Sequence, residues 1–227
     1  MQDSRIPKIK FPKNVYLIRH AQTDGNVSGN WLGSRSVNKI NEYGRKQAKD
    51  NVRYLKEQHI NASKIYASPT ERALGHAEIL QKHLNLPIEK INSLTEINLG
   101  ILEDRSRAEG LELTPEMIHN WKTDLEKFAP ALGESALEAS ERFYETLELI
   151  GKNYADKDII IISHGVVIKL FLARILNASI KTGELHIKVP ETTHGSITEV
   201  KFDGKNFKFL KITENKFPDS KEVADFG

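Results

Sequence analysis

The chain contains no cysteine, only two tryptophans among its 227 residues, and no long uninterrupted hydrophobic run. Without cysteine it can form no disulfide, no thiolate metal site and no thiol nucleophile, and such a composition fits a reducing cytoplasm. The first 13 residues contain lysine and proline but lack the apolar core of a signal peptide or a membrane span. These absences predict a cytoplasmic protein with no membrane partner.

The charges of the chain are nearly balanced, with 33 Lys and Arg against 31 Asp and Glu. Proteins that bind nucleic acid usually gather their cations in one stripe, and the cations here are scattered, so we expect no nucleic-acid partner. No Pro/Gly/Ser-rich linker and no internal repeat divides the chain, which predicts one domain over residues 1–227. The oligomeric state stays open, a homodimer included.

Three apolar segments typical of buried strands end at polar residues, and helical patterns separate them. The segments are Val15–Ile18 before Arg19-His20, Lys64–Ala67 before Ser68, and Asp158–Ser163, with four isoleucines, before His164-Gly165. Helices are predicted over 42–58, from about 70 to 84, over 115–127, from the capping box at Ser135 to about 154, and over 165–176. Two alternating segments, 196–202 and 207–212, predict a hairpin around Asp203-Gly204. The order favours an α/β fold with a mostly parallel sheet, in which ligands bind beyond the carboxyl ends of the strands.

Residues 17–26, Leu-Ile-Arg-His-Ala-Gln-Thr-Asp-Gly-Asn, resemble the Arg-His-Gly-x-Thr-x-x-Asn signature of the histidine phosphatase superfamily, in its phosphoglycerate-mutase-like branch. Four further blocks follow in the family's order: Ser68-Pro69-Thr70-Glu71-Arg72-Ala73, Leu94 to Gly100 around Glu96, Gly133-Glu134-Ser135, and Ser163-His164-Gly165. Each block is weak alone, but five in order are specific. The resemblance implies a phosphoglycerate-mutase-like three-layer α/β/α sandwich.

The resemblance also implies the roles of the site residues. His20 becomes the phosphohistidine, Glu96 is the proton donor, and Arg19, Arg72 and His164 hold phosphate. The chemistry agrees, because a dianionic phosphoryl group needs fixed positive charge and arginine offers it a planar fork of donors. Thr23, Asn26 and Gly165 complete the predicted phosphate site.

Electrostatics predicts the protonation states of three groups in such a pocket. Two neighbouring guanidiniums disfavour an imidazolium, so the pKa of His20 is expected to fall and leave a neutral nucleophile. A bound phosphate anion is expected to raise the pKa of Glu96, although the arginines oppose this. His164, if protonated when the anionic substrate binds, would complete the clamp on the phosphate oxygens.

Departures from the family pattern and competing residues leave several points open. Ala21 stands where glycine is usual, Asp104 where many members carry glycine, and Val37-Asn38-Lys39-Ile40 replaces Asp-x-Pro-Leu. Glu103 competes with Glu96 for proton transfer. The other histidines are excluded from the mechanism, with His76 and His83 assigned to a helix surface and His194 the least secure exclusion. Arg35, Arg105 and Arg107 are assigned to solvent, with recognition of a distal substrate anion as the alternative.

The predicted function is metal-independent, cofactor-free hydrolysis of a small soluble phosphomonoester. A mutase would return the phosphoryl group to a second position on its substrate, but the segment between Glu96 and Gly133 is shorter than the insertion that the resemblance implies for dedicated mutases. A catalytically silent phospho-ligand sensor would tolerate loss of His20 or Glu96, and both are present. A metal-dependent hydrolase using His20 and His164 as ligands lacks an accompanying aspartate-rich cluster.

Overall fold

The computed structural model describes residues 11, 13–153, 158–181 and 187–219. Its strands are β1 (Lys13–Arg19), β2 (Ile65–Ala67), β3 (Ile88–Lys90), β4 (Asp158–Ser163), β5 (Ile197–Phe202) and β6 (Phe207–Thr213). They form one six-stranded sheet in the order β3-β2-β4-β1-β5-β6. Strands β1 to β4 pair in parallel, whereas β5 runs antiparallel to β1, and β6 to β5. The mostly parallel sheet and the C-terminal hairpin are therefore confirmed.

Helices cover both faces of this sheet. They are α1 (Asp24–Val27), α2 (Glu42–Glu57), α3 (Glu71–Leu84), α4 (Arg107–Leu113), α5 (Pro115–Thr123), α6 (Ala136–Asn153) and α7 (Gly165–Ile175). Alternate residues of β1 point to opposite faces, as the twofold repeat of a strand requires. Val15 and Leu17 join the core under α5, α6 and α7, while Tyr16 and Ile18 join the core under α2 and α3. The predicted three-layer α/β/α sandwich is confirmed.

Strand β4 lies at the centre of the parallel part of the sheet, between β2 and β1. All six of its residues are buried, and its isoleucines alternate between the two cores: Ile159 and Ile161 on one face, Ile160 and Ile162 on the other. A strand covered on both faces has no polar face, which explains its continuous apolar sequence.

The helical segment between the third and fourth motif blocks differs from the prediction. Helix α5 ends at Thr123 rather than at residue 127, because Asp124 leaves helical geometry and its side chain caps a separate 3₁₀ turn at residues 125–127. The short helix α4 was not predicted, although a capping box formed by Ser106 and Glu109 starts it. In the described ranges, no helix is both long and apolar enough to cross a membrane.

Two departures from the family pattern have different backbone consequences. Asp104 has a φ of 65°, in the left-handed region that favours glycine. Ala21 is not among the positive-φ residues of the described chain and is fully buried. The backbone at Ala21 is therefore ordinary for alanine, and the penalty of about 1 kcal/mol that a left-handed alanine would carry does not arise.

Candidate active site

The carboxyl ends of three neighbouring parallel strands bring the first polar residues together. Arg19 is the last residue of β1 and pairs in register with Ser163, the last residue of β4. The next residue on each side continues this geometry, since the His20 amide donates to the Ser163 carbonyl at 2.8 Å and the Ser68 amide donates to the Ile162 carbonyl at 3.0 Å. The imidazoles of His20 and His164 are consequently 5.1 Å apart, centroid to centroid.

Hydrogen bonds hold the ring of His20 with Nε2 unprotonated, here called the bare nitrogen. Its Nδ1 lies 2.9 Å from the carbonyl oxygen of Ala21, which can only accept, so Nδ1 carries the proton. Its Nε2 accepts from the Nε–H of Arg72 at 3.2 Å. Burial, then the positive charge of Arg72 and the neighbouring histidines and Arg19, lowers the pKa of His20 well below its usual value. The imidazole is therefore neutral at neutral pH, and its Nε2 lone pair is directed at the Nε–H of Arg72.

Arg72, in the first turn of α3, has no solvent exposure. Its terminal nitrogens donate to the carbonyls of Ser36 at 3.2 Å and Gly33 at 2.8 Å, which fixes the plane of the guanidinium beside His20. Burial lowers the pKa of Arg72 to about 10, against the opposing charge of Glu96. The group thus remains a cation at neutral pH.

His164 lies at the N-cap position of α7, makes no capping hydrogen bond with its side chain, and has no solvent exposure. Its Nε2 lies 2.8 Å from the Ser68 hydroxyl, and its Nδ1 has no hydrogen-bond partner among the described residues. Burial first, and then the charges of Arg72, Arg19 and Arg142, lowers the pKa of His164 well below its usual value. Without an anion in the site this ring is neutral, so a phosphate dianion would have to supply the attraction that protonates it.

The carboxylate of Glu96 is buried against the first turn of α7. One oxygen, Oε1, accepts from the amides of Ile97 at 2.9 Å and Val167 at 3.2 Å, whereas Oε2 accepts from Val166 alone among the described residues, at 3.0 Å. Burial raises the pKa of Glu96, and these amides together with Arg72 and Arg19 only partly offset it. The expected direction of the shift agrees with the structure, but its main cause in the protein alone is burial.

Thr23 and Asn26 form a capping box at the start of α1. The Thr23 hydroxyl and amide both donate to Oδ1 of Asn26, at 2.8 and 3.1 Å, and Thr23 is fully buried. Asn26 lines the pocket beside His20, and with its carbonyl used by Thr23 it can turn its amide nitrogen toward a ligand. The described geometry uses Thr23 to orient Asn26, and direct contact of Thr23 with phosphate stays a prediction.

Gly165 lies against Arg19 in the same pocket. A Cβ atom on Gly165 would lie 3.0 Å from both Cζ and Nε of Arg19, a contact so tight that the guanidinium would have to shift by a few tenths of an ångström. The absence of a side chain therefore lets the guanidinium pack on the start of α7. The Nε of Arg19 is buried and has no hydrogen-bond partner in the described part of the chain.

Two histidines excluded at the sequence level lie at the site. His194 is fully buried, its ring is 5.4 Å from that of His20, and its Nε2 lies 2.7 Å from a terminal nitrogen of Arg19. His76 is also fully buried, and its Nδ1 accepts from the Ala21 amide at 3.1 Å. The assignment of His76 to a helix surface was therefore wrong, because α3 packs that side chain against the backbone next to His20. His83 is exposed, as predicted.

The mouth of the pocket has an aromatic wall. Trp31 and Trp121 both line it, with ring centroids 5.2 Å apart in an edge-to-face arrangement. The guanidinium of Arg107 lies 4.9 Å over the Trp31 ring and also lines the pocket. Neither Arg35, which donates to the Gly100 carbonyl, nor Arg105, which donates to the Ile101 carbonyl, lines it. Of the three arginines, Arg107 is the one placed to meet the distal part of a ligand.

Comparison with known protein families identifies the family to which the chain belongs. The family model described as "Histidine phosphatase superfamily (branch 1)" matches residues 15–215, which include His20, Glu96 and the predicted phosphate-binding residues. The chain belongs to the histidine phosphatase superfamily.

Curated relatives of this histidine phosphatase carry phosphatase names. It is 28% identical over 161 residues to the uncharacterized phosphatase PhoE of Bacillus subtilis, covering 71% of this chain and 76% of the relative. It is 27% identical over 166 residues to phosphoserine phosphatase 1 of Hydrogenobacter thermophilus, covering 73% and 77%. It is 30% identical over 169 residues to the metal-independent phosphoserine phosphatase of Arabidopsis thaliana, covering 73% and 69%. These relatives support phosphoester hydrolysis of the histidine-phosphatase type.

Solved structures agree on the fold. YhfR of Bacillus stearothermophilus superposes with a TM-score of 0.79 at 26% identity, over 93% of this chain and 99% of that one. A putative alpha-ribazole-5'-P phosphatase from Escherichia coli superposes with a TM-score of 0.76 at 20% identity, over 92% and 99%. The second likeness speaks for the fold alone.

The histidine phosphatase motifs explain why His194 and His76 escaped sequence analysis. Neither belongs to the five blocks that carry the resemblance, and neither follows a parallel strand. The one available signal for His194 was its position directly before β5, the strand that pairs with β1 and so brings the preceding residues beside Arg19. Among the described residues, no group of three or more His, Asp or Glu side chains is arranged to hold a metal ion.

Proposed function

We propose that this histidine phosphatase hydrolyses a small soluble phosphomonoester through a phosphohistidine on His20. The observation that carries the proposal is the state of the His20 ring: the Ala21 carbonyl holds the proton on Nδ1, and the bare Nε2 lies 3.2 Å from the Nε of a buried, positively charged Arg72. A nucleophile with its lone pair beside a fixed cation is suited to attack on a phosphorus atom that carries negative oxygens.

Arg19, Arg72 and His164 are the proposed phosphate ligands, assisted by Asn26 and by the space at Gly165. Arg19 offers its Nε–H, and His164 offers its Nδ1, both buried and without a described protein partner. Arg72 would transfer its Nε–H from His20 to a phosphate oxygen when the anion enters. Such preorganised donors stabilise the charge of the transferring phosphoryl group without reorganising during the reaction.

In the first step the lone pair of His20 Nε2 forms the bond to phosphorus while the ester P–O bond breaks. The leaving oxygen takes its electron pair from that bond and a proton from Glu96. Oε2 is the oxygen suited to carry this proton, because it accepts one backbone amide whereas Oε1 accepts two. In the second step the Glu96 carboxylate takes a proton from water, the water oxygen attacks phosphorus, and the P–N bond breaks to release inorganic phosphate.

The substrate is proposed at the level of a phosphorylated small metabolite. The relatives named as phosphoserine phosphatases make O-phosphoserine the first substrate to assay. Trp31, Trp121 and Arg107 line the side of the pocket where the alcohol part of the ester would lie, so that part is expected to pack on aromatic surface.

The test is a panel of phosphoesters assayed with excess chelator, comparing wild type with His20→Ala and with His83→Ala, an exposed histidine in α3. O-phosphoserine, a sugar phosphate, 3-phosphoglycerate and a nucleoside monophosphate form the panel. We expect metal-independent phosphate release by wild type and His83→Ala, and at least about a hundredfold loss in His20→Ala. Radiolabel from substrate should remain on denatured wild type through a base-stable, acid-labile bond.

Each other outcome overturns the proposal in a different way. Isomerised phosphoglycerate without phosphate release would identify a mutase, and vanadate binding without turnover of any ester would identify a phospho-ligand sensor. Activity lost with chelator and restored by a divalent metal would identify a metal-dependent hydrolase. Label retained by His20→Ala would place the nucleophile elsewhere.

A further inference from the structure

The segment after β6 returns to the active site and is fixed there by several hydrogen bonds. Asn215 donates to the Gln47 carbonyl at 2.9 Å, and Gln47 in turn donates through its side chain to the Phe217 carbonyl at 2.9 Å. The Tyr43 hydroxyl donates to the Pro218 carbonyl at 2.8 Å. Residues 214–219 are thereby anchored to α2, which packs next to α3 and its Arg72.

Asp219 ends this anchored segment with a carboxylate that solvent does not reach. Its Oδ1 accepts from the side-chain amides of Gln22 at 2.8 Å and Gln47 at 3.2 Å. Its Oδ2 accepts from His194 twice, from the backbone amide at 3.0 Å and from ring Nδ1 at 2.6 Å. Burial raises the pKa of Asp219, but the hydrogen bonds from His194 and Gln22 outweigh it and lower that pKa to about 2.

The carboxylate of Asp219 selects one tautomer of His194. A carboxylate can only accept, so Nδ1 of His194 carries the proton and Nε2 is bare. Burial, followed by the charge of Arg19, lowers the pKa of His194 to about 4, so the ring is neutral and the contact with Asp219 is a charge-assisted hydrogen bond. The bare Nε2 accepts from a terminal nitrogen of Arg19 at 2.7 Å.

Arg19 is consequently held on one side by protein acceptors. One terminal nitrogen donates to the Thr192 carbonyl at 2.6 Å and the other to His194 Nε2. The Nε–H has no described protein partner and is the donor that the proposed function assigns to phosphate. Were His194 in its other tautomer, an N–H would face the N–H of Arg19, and the guanidinium would have to turn away.

We propose that Asp219 is a positioning residue of the active site: it fixes the tautomer of His194, and His194 in turn fixes the plane of Arg19 for phosphate. The inference rests on the proposed function. It makes the C-terminal segment a structural part of the phosphate site, through the relay Asp219–His194–Arg19, without contact between Asp219 and the substrate. The relay consists of two consecutive hydrogen bonds, each between buried groups.

The central test compares Asp219→Asn with Glu214→Gln, which removes the same charge from an exposed position in the same segment. An amide at position 219 opposes a donor in either orientation. With its nitrogen toward His194 it no longer demands the Nδ1–H tautomer, and with its nitrogen on the other side it faces the side-chain amides of Gln22 and Gln47. We expect kcat/KM and vanadate affinity to fall about ten- to a hundredfold in Asp219→Asn, the scale of a lost hydrogen bond to a charged group, and to stay unchanged in Glu214→Gln. Nitrogen NMR of labelled His194 should show a protonated Nδ1 and a bare Nε2 in wild type and Glu214→Gln, and a tautomer mixture in Asp219→Asn.

A double-mutant cycle tests whether Asp219 acts through His194. Should Asp219→Asn fold poorly, the tautomer of His194 in wild type still tests the relay, because a protonated Nε2 there would overturn it. His194→Gln supplies an amide oxygen that can accept from Arg19 without help from a carboxylate. In that background Asp219→Asn should cost less than threefold further activity, whereas additive losses would show that Asp219 acts independently of His194.

The outcomes separate this inference from the proposed function. A wild type that neither hydrolyses phosphoesters nor binds vanadate would refute the function, while the NMR comparison would still report on the relay. If wild type has both properties and a folded Asp219→Asn has the same kcat/KM, vanadate affinity and His194 tautomer, the positioning role of Asp219 is overturned.

Discussion

Replacing Glu96 with glutamine distinguishes a proton donor from a purely structural residue. If Glu96 donates the proton, the loss in the rate of His20 phosphorylation should depend on the leaving group. The amide oxygen can replace Oε1 and accept from Ile97 and Val167, but the amide nitrogen then faces the Val166 N–H. One lost hydrogen bond and one buried unsatisfied donor predict destabilisation of about 1–3 kcal/mol. For a chain of this length each kcal/mol lowers Tm by about 2–4 °C. The variant should therefore fold, with a Tm lower by roughly 2–12 °C.

The chemical loss should be larger for a poor leaving group than for a good one. An alkoxide requires a proton as it departs, so phosphorylation of His20 by O-phosphoserine should slow about 10²–10⁴-fold in Glu96→Gln. p-Nitrophenolate departs without a proton, so phosphorylation by p-nitrophenyl phosphate should slow less than about tenfold on the same reasoning. Single-turnover quench experiments on labelled substrate measure this step apart from hydrolysis of the phosphoenzyme, in which the proposed mechanism also uses Glu96.

The control for this prediction is Glu103→Gln. Glu103 is the other buried carboxylate nearby, and its oxygens accept from the amides of Leu99 at 3.1 Å and Arg35 at 2.9 Å, so its replacement has a comparable structural effect. It should leave the ratio of the two phosphorylation rates unchanged. Equal slowing with both substrates in Glu96→Gln would refute proton donation and assign Glu96 to holding the start of α7.

Two further predictions concern protonation and packing. Because burial and Arg72 lower the pKa of His20, kcat/KM should not decline as pH falls through 6.5. Because burial raises the pKa of Glu96, kcat/KM should decline on the alkaline side as Glu96 loses its proton. A pH profile of kcat/KM from 4 to 9 measures both limbs. Gly165→Ala places a Cβ 3.0 Å from Cζ and Nε of Arg19, so vanadate affinity and kcat/KM should each fall at least about tenfold, as titration and steady-state kinetics would measure.

A specific result would contradict each of these two predictions. An acid limb with a midpoint at pH 6.5 or above, observed with a substrate whose ionisation is constant there, would mean that the pKa of His20 is not lowered. For the glycine, Gly75→Ala is the matched control, since its Cβ would lie 3.5 Å from Ile40 in ordinary contact and the helix gains about 0.5–1 kcal/mol from alanine. Full vanadate affinity in Gly165→Ala would show that Arg19 does not depend on the space beside α7.

The parallel strands and the residues at their ends could be predicted because local patterns encode them. The isoleucine run of β4 is apolar throughout since both faces are covered, and Arg19, His20 and His164 follow strands whose carboxyl ends must share one edge. The motif blocks then single out Arg72 and Glu96, which no periodicity would distinguish from solvated side chains.

The remaining parts of the site depend on contacts between distant segments. The pairing of Asp219 with His194 requires the hairpin β5–β6 to bring the following segment back to β1, and nothing in either residue's neighbourhood encodes that return. His76 has a charged neighbour in Glu78 and looks like a surface residue, yet its face of α3 packs on Ala21. Helix α4 was missed because seven residues hold too few turns for a periodic signal.

His20 and His194 both keep Nε2 unprotonated, but the acceptors that hold the proton on Nδ1 differ in whether a mutation can remove them. At His20 the proton is retained by the carbonyl of Ala21, a group that every amino acid possesses, so no exchange of a single side chain can delete that acceptor. At His194 the acceptor that holds the proton on Nδ1 is the side-chain carboxylate of Asp219, which a single substitution can remove. In the proposed relay, a substitution of Asp219 therefore weakens phosphate binding while it leaves the attacking ring of His20 intact.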